Sequence, residues 1–79
     1  MAIQFQQINE TTIGIDNFLA VATTVKEMLP VRDRFDLYLK SWDGLRAVTL
    51  RDDMWAGLSN GTSARLHEGS QLWATPRRR

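Results

Sequence analysis

The clearest pattern of apolar and polar positions lies in the middle of the chain. Residues 35–40 alternate between apolar and more polar side chains, and residues 45–51 form a second run of the same kind. Such alternation is typical of a half-buried β-strand, whose successive side chains point to opposite faces. The pair Asp43-Gly44 between the runs is a frequent two-residue turn, so this segment is predicted to be a β-hairpin.

The register of this hairpin follows from pairing Trp42 with Leu45 across the turn. A competing helix over residues 31–42 would have apolar residues at 31, 35, 38 and 42, but it leaves Leu37 and Leu39 unexplained, so the hairpin is favoured. The predicted register matches apolar, polar and charged side chains across the two strands. The expected pairs are Leu39 with Val48, Leu37 with Leu50, Tyr38 with Thr49, and Asp36 with Arg51.

The segment before the hairpin has apolar residues at helical spacing. Asp16 is a suitable helix cap, and Pro30 disfavours helical geometry at the preceding residue. One amphipathic helix is therefore predicted over residues 17–29, covering one face or end of the sheet, and residues 1–15 are interpreted as an N-terminal arm or edge strand. The helical apolar positions are Phe18, Leu19, Ala22, Val25, Met28 and Leu29.

Further turn signals divide the C-terminal part. Asn60-Gly61 predicts a second hairpin, and a three-residue loop with Gly69 in left-handed geometry would place Leu66 opposite Leu72. The fold class is therefore mainly β with one N-terminal helix: a small five-stranded antiparallel meander or barrel in a single domain over residues 16–76, followed by a basic tail, 77–79. The strands are predicted at about 34–42, 45–51, 54–59, 62–67 and 71–75.

Composition limits the chemistry. The 79 residues include no cysteine and one histidine, so neither a disulfide framework nor a zinc cluster is expected, and no cofactor is implied. His67 and Glu68 are neighbours on a predicted strand and point to opposite faces, which argues against acid–base catalysis. We therefore expect a protein that is not an enzyme. Its small size leaves self-association as a route to further burial.

Localisation is interpreted from two features of the sequence. The longest apolar run, residues 18–22, is too short to span a membrane. The start of the chain lacks the pattern of a secretory signal. A cytoplasmic protein without a membrane partner is expected.

Positive charge is concentrated at the C-terminus. The formal net charge is +1, but Arg77, Arg78 and Arg79 supply three of the ten basic residues, so residues 1–76 carry seven basic against nine acidic groups. Nucleic-acid-binding domains usually have a basic surface that extends over the domain. A solvated tail and a phosphate-binding tail both remain open interpretations.

The element order resembles that of the Sm-like family of ring-forming RNA-binding proteins, which includes the bacterial Hfq proteins. The resemblance implies the small barrel of that family, an Sm-like fold similar to an SH3 barrel. The resemblance covers about residues 16–76. Trp55 stands where the family has asparagine, and Glu68 where it has arginine. The segments that carry the resemblance are Phe35-Asp36-Leu37-Tyr38-Leu39 with Asp43-Gly44, Asp52-Asp53-Met54-Trp55, His67-Glu68-Gly69-Ser70-Gln71-Leu72, and Ala74-Thr75-Pro76.

The resemblance implies a homo-oligomeric ring that binds single-stranded RNA or DNA, with a role in RNA processing or regulation. In such a ring, residues 62–67 of one subunit pair with residues 71–75 of the next. Trp55 would stack on a base, while Arg65 and the tail would contact phosphates. The expected nucleic-acid-binding residues are Asp53, Trp55, Asn60, Arg65, His67, Arg77, Arg78 and Arg79.

A second function stays open at this point. The domain is alternatively a small protein-binding adaptor or inhibitor that presents a sheet edge or an aromatic patch. Trp42 and Trp73 are expected to be core or subunit-interface anchors rather than ligand contacts. The weak charge of residues 1–76 favours this alternative, whereas the element order and the basic tail favour nucleic acid.

Overall fold

The computed structural model describes residues 4–15, 17–42, 44–58 and 61–77. These residues form one antiparallel sheet of eight strands. The spatial order of the strands is β1-β2-β3-β8-β4-β5-β6-β7. The expected five-stranded meander or barrel is therefore wrong. The strands are β1 (Phe5–Asn9), β2 (Thr12–Ile15), β3 (Phe18–Thr24), β4 (Phe35–Ser41), β5 (Gly44–Leu50), β6 (Trp55–Leu58), β7 (Ser63–Arg65) and β8 (Gln71–Pro76).

The predicted helix over residues 17–29 is also wrong, because most of it is strand β3. Ile15 pairs with Phe18, and Asn17 between them has a φ of 71°. Asparagine tolerates this left-handed geometry, so the segment turns into a hairpin instead of starting a helix. Asp16, the expected helix cap, lies outside the described residues.

A short helix, α1 (Val25–Met28), and a 3₁₀ helix (Leu29–Arg34) connect β3 to β4. The Thr24 hydroxyl accepts a hydrogen bond from the backbone N–H of Glu27 at 3.2 Å and donates one to the Glu27 carboxylate at 3.1 Å. The backbone N–H of Val25 donates to the Ser70 carbonyl at 3.1 Å. Side-chain and backbone partners therefore satisfy the N-terminus of α1.

The hairpin predicted around residues 43–44 is present as β4–β5, but its register differs from the prediction by two residues. Ser41 pairs with Gly44, and Leu37 pairs with Val48. A shift of two residues keeps every side chain on its expected face, so the alternating pattern cannot distinguish the two registers. The ion pair expected between Asp36 and Arg51 is not formed: Asp36 instead pairs with Arg77 at 3.4 Å.

The C-terminal strand lies in the middle of the sheet. Gly57 pairs with Ser63, which confirms the β6–β7 hairpin, but β8 pairs with β3 and β4 instead of β7. The predicted pairing of Leu66 with Leu72 is therefore wrong. Residues 67–70 form a turn in which Gly69 does not adopt a left-handed φ.

Two apolar clusters occupy opposite faces of the sheet. Residues 72–75 of β8 are all buried, and because successive side chains alternate, the strand contributes to both clusters. The Lys40 ammonium lies 5.7 Å from the centre of the Phe5 ring, so the sheet curls enough to bring β1 close to β4. The first cluster is Ile13, Ile15, Ala20, Leu45 and Trp73, and the second is Val25, Leu37, Leu50, Leu72 and Ala74.

Any side chain at residue 44 is predicted to destabilise the fold. Its φ of 127° is unfavourable for any other residue, and the position is buried. Gly44→Ala is expected to lower the free energy of unfolding by about 1–3 kcal/mol, as measured by urea denaturation.

Gly69→Ala is the matched control for this substitution. A β-carbon at residue 69 would meet the His67 ring at 3.6 Å, an ordinary contact, and the turn is exposed. The control should change stability by no more than about 0.5 kcal/mol. Equal losses in the two variants would contradict the special geometry at residue 44.

Candidate functional site

A shallow groove of ≈ 400 Å³ lies over strands β4, β5 and β6. Thr49 pairs with Gly57 across β5 and β6, and the missing side chain at Gly57 leaves the surface open there. Arg77 closes one end of the groove. The lining residues include Asp36, Tyr38, Thr49, Gly57 and Arg77.

Arg77 is held by contacts from both its backbone and its side chain. Its backbone N–H donates to the Arg34 carbonyl at 3.0 Å. Its guanidinium donates to the Phe35 carbonyl at 3.3 Å and lies 3.4 Å from an Asp36 carboxylate oxygen. The side chains of this ion pair are partly solvated, so the pair positions Arg77 more than it stabilises the fold.

An aromatic and a cationic residue meet beside the groove. Trp55 lies directly opposite Arg65 in the β6–β7 pairing. Trp55 and Gly57 are two residues apart on β6 and therefore share a face. The Trp55 side chain is 37% exposed, and Arg65 is exposed. The structure thus brings together two of the predicted binding residues and places them on the same face as the groove.

The loop before Trp55 fixes the start of β6. Met54 has a φ of 69°, and its backbone N–H donates to the Arg51 carbonyl at 3.3 Å. Asp53 accepts hydrogen bonds from the Arg51 guanidinium at 2.6 Å and from the backbone N–H of Trp55 at 3.3 Å. Asp53 therefore supports the loop rather than offering a free carboxylate to a ligand. The neighbouring Asp52 pairs with Arg32.

The remaining predicted site residues do not join this surface. His67 is exposed in the turn before β8, where its backbone N–H donates to the Ser70 hydroxyl at 3.0 Å, and it does not line the groove. Asn60, Arg78 and Arg79 lie outside the described residues. Of the eight expected binding residues, Trp55, Arg65 and Arg77 therefore contribute to the candidate site.

Trp42 does not belong to the core. It follows β4 in the hairpin turn and is 95% exposed in the single chain, so its expected place in the core is wrong, whereas a place at a subunit interface stays a prediction. The predicted register paired it with Leu45, whereas Lys40 takes that place. Trp73 is 4% exposed, which confirms its expected place in the core.

No protein-family model, curated protein or solved structure matches this chain. Within residues 4–15, 17–42, 44–58 and 61–77, no three histidine or carboxylate side chains gather in a way that would hold a metal ion. No helix in those same ranges is long and apolar enough to cross a membrane. The surface features open to a ligand are the groove, the Trp55–Arg65 pair and the other exposed side chains.

The two tryptophans at the extremes of exposure are predicted to differ sharply in their contribution to stability. Trp73→Ala removes a buried indole and should cost about 3–5 kcal/mol, enough to remove most of the stability of so small a domain. Trp42→Ala should change the free energy of unfolding by no more than about 0.5 kcal/mol. Urea denaturation measures both, and a large loss in Trp42→Ala would show that the hairpin tip is packed in solution.

Proposed function

We propose that this domain is a non-enzymatic module that binds single-stranded nucleic acid, RNA or DNA, along the groove and the adjacent Trp55–Arg65 pair. The observation that carries the proposal is the placement of Trp55 opposite Arg65, on the face whose groove ends at Arg77. A stacking surface and two cations therefore share one open sheet face. This combination suits a strand whose bases are unpaired and whose phosphates are accessible.

Each residue of this surface has a separate part in the proposed binding. The Trp55 indole stacks on a base, an interaction worth about 1–3 kcal/mol. Arg65 contacts the phosphate beside that base. Arg77 extends the contacts along the groove, and Arg78 and Arg79 follow it directly in the sequence. The nucleic acid would therefore run from the β7 edge towards the C-terminal tail.

The charge of the domain limits how strong this binding is. Residues 1–76 carry two more acidic than basic groups, and Arg32 and Arg51 are engaged with Asp52 and Asp53. Arg77 is itself paired with Asp36, so most of the phosphate contacts are assigned to Arg65, Arg78 and Arg79. Each phosphate contact on a single strand contributes a salt slope of about −0.7, so a shallow dependence on salt is expected.

The proposal does not depend on a ring. β8 is hydrogen-bonded on one side to β3 and on the other to β4, so it has no free edge for a neighbouring subunit. Ring closure through residues 62–67 and 71–75 therefore does not fit this sheet. We place the protein in the cytoplasm, where a chain without cysteine loses nothing from a reducing environment.

A second candidate function follows from Trp42. An indole that is 95% exposed at a hairpin tip is a suitable anchor for an apolar pocket on a protein partner. Tryptophan is enriched among the residues that contribute most to protein–protein binding. This observation favours the protein-binding adaptor or inhibitor, and it involves a part of the surface that the nucleic-acid proposal does not use.

Fluorescence anisotropy with labelled oligouridine and oligothymidine tests the nucleic-acid proposal. Trp55→Ala should weaken binding by about 5- to 150-fold without changing the salt slope, because stacking releases no counterions. Trp55→Phe, which keeps a stacking face, should recover part of this loss. Deleting Arg78 and Arg79 should weaken binding and reduce the slope by about 1.4.

Trp42→Ala is the matched control, since it removes an indole outside the proposed site. It should bind both oligonucleotides as the unmodified protein does. Absence of binding to either probe at low salt would overturn the proposal and favour the protein-binding module. Equal losses from Trp42→Ala and Trp55→Ala would also contradict it, because that result would indicate non-specific contact through exposed aromatic groups.

A further inference from the structure

The ion pair between Asp36 and Arg77 places a carboxylate at one end of the groove. Both residues line the groove, and the Arg77 Nε atom lies 3.4 Å from the Asp36 Oδ1 atom. This separation is longer than the roughly 2.9 Å of an ordinary N–H···O hydrogen bond. The side chains of Asp36 and Arg77 are 48% and 39% exposed. The pair is therefore loose and accessible to a ligand.

Both side chains keep polar atoms that a ligand can contact. Among the described residues, Asp36 Oδ2 accepts no hydrogen bond and Arg77 Nη1 donates none. The backbone of Asp36 belongs to β4, which is paired with β8 on one side and β5 on the other. Arg77 Nη2 donates to the Phe35 carbonyl at 3.3 Å. The carboxylate and the guanidinium are thus held beside each other.

A phosphate is a poor ligand for this end of the groove. The Asp36 carboxylate would repel it, and the charge of Arg77 is already balanced by that carboxylate. The pair instead presents two acceptor oxygens next to a donor. The edge of a nucleobase is uncharged and carries both donors and acceptors, so it suits this array better than a phosphate does.

Guanine has the Watson–Crick edge that matches the array. Its N1–H and N2–H groups are adjacent donors, which the two oxygens of the Asp36 carboxylate can accept, and its O6 acceptor lies next to them, where the Arg77 guanidinium can donate. Adenine, cytosine and uracil each have one donor group on this edge with an acceptor directly beside it. A carboxylate repels that acceptor, so the other bases fit less well.

We propose that this end of the groove selects guanine in a bound single strand, with Asp36 as the residue that determines the specificity. The inference rests on the proposed nucleic-acid function and adds a base preference to it. Asp36 lies on β4 and Trp55 on β6, so two inter-strand spacings, about 10 Å, separate them. The guanine therefore belongs to a different nucleotide from the base that stacks on Trp55.

Fluorescence anisotropy with labelled oligouridine that carries one guanosine tests the preference. The unmodified protein should bind this probe about fivefold or more tightly than plain oligouridine, because only guanine makes the bidentate contact. An adenosine at the same position should give a smaller gain, since it keeps a purine for stacking but lacks the second donor. Inosine, which lacks the N2 amino group of guanosine, should give an intermediate affinity.

Asp36→Asn should abolish the difference between the guanosine and adenosine probes, because the amide replaces one acceptor oxygen with a donor. Asp36 is half-exposed, so this variant should keep its fold, which circular dichroism checks. Glu68→Gln is the matched control. It removes one negative charge from an exposed turn outside the groove, so it should leave the preference unchanged.

The outcomes separate the base preference from the proposed function. Equal binding of the guanosine, adenosine and uridine probes would overturn the guanine proposal and leave single-strand binding intact. Equal gains from guanosine and adenosine would overturn it as well, since stacking alone would explain them. A preference that survives Asp36→Asn, or that is lost equally in Glu68→Gln, would also contradict the role of Asp36. Absence of binding to every probe would overturn both proposals.

Discussion

The pairing of β8 with both β3 and β4 is the interaction on which the rest of this structure depends. The strands before α1 form one antiparallel unit, and β4 to β7 form another; β8 is hydrogen-bonded to both. Its side chains also serve both apolar clusters, with Leu72 and Ala74 on one face and Trp73 on the other. Without this strand the units would share no hydrogen-bond ladder, and the two clusters would lose Leu72, Trp73 and Ala74. The cost is entropic, since Val21 and Ala74 are distant in the chain.

The same strand determines where the candidate site lies. Because β8 runs beside β4 and ends at Pro76, the following Arg77 reaches the Arg34 carbonyl and the Asp36 carboxylate at the end of the groove. The turn that leads into β8 supplies the Ser70 carbonyl to the N-terminus of α1. A C-terminal strand at the edge of a meander would direct the basic tail elsewhere. The position of Arg77 is thus a consequence of sheet topology.

Local features of the fold could be predicted from the sequence, and non-local ones could not. Asp43-Gly44 and Asn60-Gly61 carry their own turn chemistry, so both hairpins follow from neighbouring residues. No feature of the neighbouring residues indicates which strands pair with β8. Residues 18–24 satisfy helical and strand patterns alike, and the left-handed Asn17 decides between them. The residue that lies opposite Trp55 in the candidate site could not be predicted either. A two-residue turn at Asn60-Gly61 would pair Trp55 with Leu66, whereas the observed register places it opposite Arg65.

The two ends of the sheet differ in their basic residues. All ten lysines and arginines lie at or after Lys26, so the strands β1 to β3 have no basic side chain; Arg65 belongs to the other end, and Arg77 follows β8 in the middle of the sheet. Ile8, Leu19 and Val21 are exposed apolar side chains at the first end, whereas the second end has the exposed Arg65 opposite the indole of Trp55. Since an open sheet does not close on itself, these surfaces remain on separate edges.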